Sequence, residues 1–374
     1  MSSISAEYRA TFTGEPGYLN FAAFGPLSST VRDEVVADVG MLGTGRASSI
    51  DHVAGRVREA REAVAGLLGA SVDEVTLQPS TSHGLAQAVY GLEGGVLASA
   101  AEFPTIPTLL VRAAEAFGRI TPQWMTPPSG FVTPEAVADA LDDDTRALVV
   151  SSVDSRTGFR ADLRGLREVL GDDRLLLVDD TQGFGVIDAD YAAADVVCGH
   201  GYKWLRAGRG TGFAWFGPRA REAIRPVLSG HVATATGITF DDVPAPHPTA
   251  QAYRLSEPDW LAASRLAVAA SEVAAVGVAA IQDELAALTA RVIALADTHD
   301  IRVVTPREPE RRAGFVALAP RQEDVAPMAA ALANSGVTVT SRSNLIRVAP
   351  HVGTDDETLG MLADALAAAP RVSS

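Results

Sequence analysis

Between residues 57 and 216, short apolar runs take turns with stretches of helical periodicity, and that alternation limits the fold more than any other feature of the chain. Strands separated by helices are joined in parallel, because a helical crossover returns the chain to the same end of the sheet. The runs Val75-Thr-Leu, Gly95-Val-Leu-Ala, Ala147-Leu-Val-Val, Leu175-Leu-Leu-Val178 and Asp195-Val-Val-Cys198 are short and mostly apolar, as expected of strands covered on both faces. Val57, Ala60, Val64, Leu67 and Leu68 recur at helical spacing before Gly69, which can end that helix. Thr133-Pro134-Glu135 joins a capping hydroxyl, a first-turn proline and an acid, so it predicts another helix start. The expectation is an α/β fold with a mainly parallel sheet.

Pro244, Pro246 and Pro248 crowd into residues 241–249 and predict an extended connection and a lobe boundary. Helical patterns follow over residues 259–298. Strand-like pieces come next at 301–304, 314–318, 337–340 and 345–348, then a last helix over 355–368. The expected division is a large domain over 26–240 and a smaller α+β domain over 241–374. Residues 1–25 are expected to pack with the latter.

The charge of −15 opposes binding to phosphate backbones, so nucleic acid is not an expected partner. No run of apolar residues is long enough to span a bilayer, and Met1 to Arg9 has no signal-like pattern, so the expectation is a cytoplasmic protein without membrane contact. A single cysteine, Cys198, excludes an internal disulfide and argues against a thiolate metal site. The basic residues say more. Lys203 is the only lysine; the other 30 of the 31 basic residues are arginines. A coding bias can exchange lysine for arginine wherever only charge matters. It cannot replace an amine that must lose its proton and attack a carbonyl.

Ligands of open parallel sheets bind beyond the carboxyl ends of the strands. One such end is Leu175-Leu-Leu-Val178, which runs into Asp179-Asp180-Thr181-Gln182-Gly183 and sets a carboxylate at a strand tip. That carboxylate can cap the turn or pair with a protonated ring nitrogen. Asp195-Val-Val-Cys198 leads through Gly199-His200-Gly201-Tyr202 to Lys203. The glycine-rich stretch 208–212 then opens a strand-like run at 213–216 rather than a helix, which excludes a dinucleotide loop. Gln78-Pro79-Ser80-Thr81-Ser82-His83 places hydroxyls where a strand yields to a helix, a favourable seat for a phosphate or an ordinary cap.

Taken in order, these residues resemble the fold-type I enzymes of pyridoxal 5′-phosphate (PLP), specifically the class V aminotransferase and cysteine desulfurase superfamily. The likeness runs from Tyr18-Leu-Asn-Phe-Ala-Ala-Phe-Gly-Pro26 to the last helix. It implies the PLP-dependent transferase fold and a Schiff base on Lys203. Asp179 would face the pyridine nitrogen and Gln182 the ring hydroxyl. His200 and Tyr202 stand where the family has phosphate contacts, with Thr81 and Ser82 in the phosphate turn. Phe103, in Glu102-Phe103-Pro104, would stack on the ring. Ser155, in Val153-Asp154-Ser155-Arg156-Thr157-Gly158, replaces the family's asparagine near the ring hydroxyl. Arg347 would fork onto a substrate carboxylate, although a surface ion pair is its alternative. The resemblance also implies a homodimer. Where the family often lends a Gly-Thr pair to the neighbouring phosphate, this chain reads Arg254-Leu-Ser-Glu-Pro-Asp259.

PLP makes the Cα–H of an amino acid acidic, and a freed lysine amine is the natural base for that proton. Transamination, elimination at Cβ and epimerisation share this step. A persulfide-forming desulfurase needs a nucleophilic cysteine before the substrate arginine, and residues 337–347 contain none. The expectation is an aminotransferase acting on an amino-acid-like substrate, with a C–S lyase or β-eliminase second and an epimerase third. A PLP fold that binds without turnover is disfavoured by the joint presence of Lys203 and Asp179.

Overall fold

A computed structural model describes residues 4–369 apart from 238 and 343. The chain ends assigned above to the first segment and the small domain, residues 1–3 and 370–374, lie outside the described residues. Seven strands form the main sheet: β1 Val75–Gln78, β2 Gly94–Ser99, β3 Ile120–Met125, β4 Thr145–Ser151, β5 Leu175–Asp179, β6 Val196–His200 and β7 Gly212–Phe216. Their order is β1-β7-β6-β5-β4-β2-β3. β7 is antiparallel to both of its neighbours, and the remaining pairings are parallel.

Side chains of a strand alternate between faces, and the two cores follow that rule. Leu148, Val150, Leu176, Val178 and Val197 meet Ala60, Val64 and Leu68 of the helix Ala47–Leu68 and Leu266 of Trp260–Val276. On the other face Ala147, Val149, Leu175, Leu177 and Val196 meet the helices Thr81–Tyr90 and Thr105–Phe117. Because both faces are covered, polar groups at the carboxyl ends of β4, β5 and β6 have only the sheet edge to occupy. The helix Ala47–Leu68 ends at Gly69, whose left-handed backbone (φ +65°) lets its N–H bond Ala65 O.

Residues 250–276 pack on this sheet. Gln78 Nε2 donates to Tyr253 O (2.8 Å), Gln251 Nε2 donates to Val75 O (2.8 Å), and the Tyr253 ring stacks on Phe216 at 3.8 Å. The helical pattern over 259–298 is two helices, Trp260–Val276 and Val278–Thr298, bent by 80° at Gly277. Among the described residues no single helix is long and apolar enough to cross a membrane.

The second sheet has the order β8-β10-β9, all antiparallel, from β8 Val316–Leu318, β9 Thr340–Arg342 and β10 Leu345–Val348. Two expected strands differ. Residues 301–304 make only the single bridge Val303 to Leu318, and the strand expected at 337–340 starts at Thr340 instead. Tyr18 and Asn20 of the N-terminal segment bridge to Thr338 and Ala349 beside this sheet.

Candidate active site

β5 and β6 are parallel neighbours with Asp179 in register with Cys198, so their carboxyl ends open onto the same edge. The two adjacent carboxylates there have different surroundings. Asp180 is fully buried and accepts hydrogen bonds from the Ser152 hydroxyl and from Tyr191 OH, the latter at 2.6 Å. Burial raises its pKa to about 7, and its oxygens are committed to the fold. Asp179 is nearly buried and accepts from Thr181 N at 2.9 Å. Its pKa is raised by burial and held back by Thr181 and by the Lys203 charge. Of the two, Asp179 is the carboxylate in electrostatic contact with the lysine.

Lys203 follows β6 by three residues and is 8 % exposed. Burial, joined by the charges of Arg347, Arg209 and Arg342, lowers its pKa to about 7 against the opposing pull of Asp179. No hydrogen-bond or ion-pair partner for Nζ occurs among the described residues, so no contact there holds the amine in its charged form. The N-terminal segment props the backbone that carries it. Gly25 N donates to Tyr202 O at 2.9 Å, and a Cβ on Gly25 would stand 1.9 Å from Lys203 O, which only glycine avoids.

The helix Thr81–Tyr90 begins at the neighbouring edge, with Ser80 as its cap. Thr81 is buried, and its Oγ1 accepts from the Thr181 hydroxyl at 2.9 Å, which ties the helix start to the turn after Asp179. Ser82 is exposed and lies 3.1 Å from Thr105 Oγ1. His200 is buried with neither ring nitrogen partnered, and burial pushes it well below its usual pKa. Its ring stacks on Tyr202 at 3.7 Å, and the Arg209 guanidinium lies over the Tyr202 ring, 4.6 Å from its centroid. An unpartnered imidazole and a cation thus flank Tyr202 in the Lys203 loop, and a helix N-terminus is tied to the turn after the neighbouring β5.

The other expected residues divide. Phe103 is exposed, at 40 %, on the turn after β2. Arg347 lies on β10, donates Nη1 to Ser155 O at 2.8 Å, and has an unpartnered Nε. It makes no ion pair with an acid among the described residues, so the surface ion-pair reading fails, and burial lowers its pKa to about 10. Ser155 enters this contact through its backbone carbonyl rather than its hydroxyl. Gln182 points inward. Its Nε2 donates to Ala22 O and its Oε1 accepts from Trp204 Nε1, both at 3.0 Å. The role implied for it on a ring hydroxyl is left with a single amide N–H.

Two groups escaped the sequence reading. Glu102 accepts from Ser151 N at 3.1 Å and Ser151 Oγ at 2.5 Å, and burial raises its pKa to about 7. Ser151 is in register with Asp179, so Glu102, Ser151 and Asp179 line up across three strand ends. The acid immediately before Phe103 at a strand end was the available signal. His351 accepts from Val352 N at Nδ1 (2.8 Å) and donates Nε2–H to Trp204 O (2.9 Å), so it is neutral and fixed behind the lysine loop. Burial takes its pKa to about 3.

A sequence model described as Aminotransferase class-V matches residues 43–347. The chain belongs to the class V aminotransferase family. Among its class V relatives, a kynureninase of Deinococcus radiodurans is 28% identical over 256 residues, 65% of this chain and 61% of that one. An uncharacterized aminotransferase of Bacillus subtilis, YcbU, is 25% identical over 83% of this chain and 82% of its own. The chain thus spans less than two thirds of the kynureninase. The cystine C-S lyase C-DES shares the fold at a TM-score of 0.87 and 18% identity, over 96% of this chain and 99% of that one. So does a cysteine desulfurase from Thermococcus onnurineus NA1, at 0.85 and 16%, with 98% of each chain covered.

Class V enzymes work with PLP, and the residues here fit that group. A nearly buried amine without a partner, a carboxylate with spare acceptor capacity, and a helix start beside an orphaned imidazole are the donor and acceptor set that an aldehyde, a pyridine nitrogen and a phosphate require.

Proposed function

We propose that this protein is a PLP-dependent aminotransferase acting on an amino-acid-like substrate, with Lys203 as the residue that carries the cofactor and moves the substrate proton. The observation that carries the reading is a nearly buried Lys203, just beyond β6, within the electrostatic reach of Asp179 at the end of the neighbouring β5. When bound, PLP supplies an electron sink that makes the substrate Cα–H acidic.

The protein's share follows from its side chains. Asp179 would pair with the pyridine nitrogen. Thr81, Tyr202 and the first turn of Thr81–Tyr90 would hold the phosphate, with His200 adjoining. Phe103 would stack on the ring. Arg347, whose charge acts on Lys203, would take the substrate carboxylate. With a pKa of about 7, Lys203 Nζ can both accept and return a proton at neutral pH, as a general base must. Two copies are proposed to pair, as the family resemblance implies.

A persulfide mechanism is disfavoured. Cys198 is fully buried on β6, its Sγ lies where a Cβ on Gly84 would approach to 3.0 Å, and burial raises its thiol pKa well above the usual value. The second reading is a C–S lyase, the activity named for the fold neighbour C-DES, which here would proceed by elimination at Cβ. The purified protein should absorb in the visible, and borohydride should bleach it while modifying Lys203. Lys203→Ala should lose the colour and turnover; full activity in that variant would sink the proposal. Amine transfer to a keto acid separates transamination from elimination, which releases ammonia and pyruvate.

A further inference from the structure

In an antiparallel pair, opposite residues project to the same face and alternate residues share it. Thr340 stands opposite Arg347, and Arg342 opposite Leu345. These four therefore share one face of the small sheet, while Ile346 and Val348 enter the core. Arg342 and Arg347 are diagonal neighbours, with backbones about 7–8 Å apart, a distance two long side chains close easily. Both act electrostatically on Lys203, and Arg342 also acts on Arg347. Thr340 Oγ1 donates to Asn20 Oδ1 at 2.7 Å, which brings an amide to the same ledge.

Two guanidiniums on one face of a sheet raise the local positive potential, and an anion bound against each would lower it. Neither has a carboxylate partner among the described residues, although the chain carries 46 acidic residues to 31 basic ones and so has acids to spare. A single carboxylate is already matched by the one planar fork of Arg347. Arg342 sits farther out, on the exposed edge strand β9. Its guanidinium is placed for a second anion, displaced toward solvent from the first.

We infer that the substrate is an amino diacid of aspartate or glutamate length, with its α-carboxylate on Arg347 and its side-chain carboxylate on Arg342. This rests on the proposed amino-acid chemistry at Lys203. A charge-assisted hydrogen bond to such a carboxylate corresponds to a roughly ten- to hundredfold preference for the acid over its amide.

The test titrates the holoenzyme with aspartate, asparagine, glutamate and glutamine, following cofactor absorbance. Succinate and butyrate, which lack an amine, are compared by calorimetry. The wild type should prefer each diacid about tenfold or more. Arg342→Gln should erase that preference with amide binding and melting temperature unchanged, whereas Arg347→Gln should weaken all four amino acids. Equal weakening of acids and amides by Arg342→Gln would mean that both arginines hold one carboxylate, and an unchanged ratio would mean that Arg342 is only solvated; either overturns the inference. If no amino acid perturbs the cofactor while succinate still binds through Arg342, the amino-acid chemistry fails and the diacid site stands.

Discussion

Replacing the reactive lysine should make the cofactor-free protein more stable. Burial and three arginines take the Lys203 pKa from 10.5 to about 7, so from pH 7 to 10.5 the folded chain binds fewer protons than the unfolded one. Stability contributed by this position therefore rises with pH through that window, and falls as the solution is made neutral. At about 1.36 kcal/mol for each tenfold change in proton affinity, the cost at pH 7 is about 4 kcal/mol, and relaxation of the site reduces it to about 2–4 kcal/mol. Lys203→Met keeps the length and apolar stem of the side chain and removes the charge. Urea unfolding of the apo forms, followed by circular dichroism, should show the variant more stable by about that amount at pH 7. The gap should narrow as pH rises and close near pH 10.5. A variant no more stable than wild type at pH 7, or a gap indifferent to pH, would refute the electrostatic account of the lysine.

Glu102 should contribute with the opposite slope: its pKa lies at about 7 in the fold, above the ordinary 4.5, so stability from this group is lost as pH rises from about 4.5 to 7. Glu102→Gln should flatten that part of the apo stability curve and keep the contact with the Ser151 hydroxyl; an unaltered curve would show that Glu102 already ionises freely. Cys198→Ala should leave turnover intact, since the thiol faces the helix Thr81–Tyr90 and not the lysine; loss of turnover with an unchanged melting temperature would reinstate a thiol mechanism.

The strands that could be read from sequence are those buried on both faces, because continuous apolar runs leave little choice of place. β3 was not read. It is an edge strand, Ile120-Thr-Pro-Gln-Trp-Met125, and an edge tolerates a proline and polar residues that a central strand would not. β9 is likewise a polar edge, and its register depends on β10 rather than on its own pattern. In the site, Lys203 stood out by composition. The resemblance pointed to Asp179, but the contacts that commit Asp180 to the fold, from Ser152 and Tyr191, come from other segments. Gln182 kept its motif position while its side chain was taken by Ala22 and Trp204. Arg342 had no motif at all, since its nearness to Arg347 exists only once two strands are paired.

The peptide that bears the lysine is held by Gly25 on one side, by Gln182 through Trp204 on another, and by His351 on a third. Gly25 and His351 flank the lysine from opposite directions along the chain, so its backbone is fixed only once segments remote in sequence have docked on one another. The seat of the amine is a tertiary property, and the isolated stretch around Lys203 would not possess it.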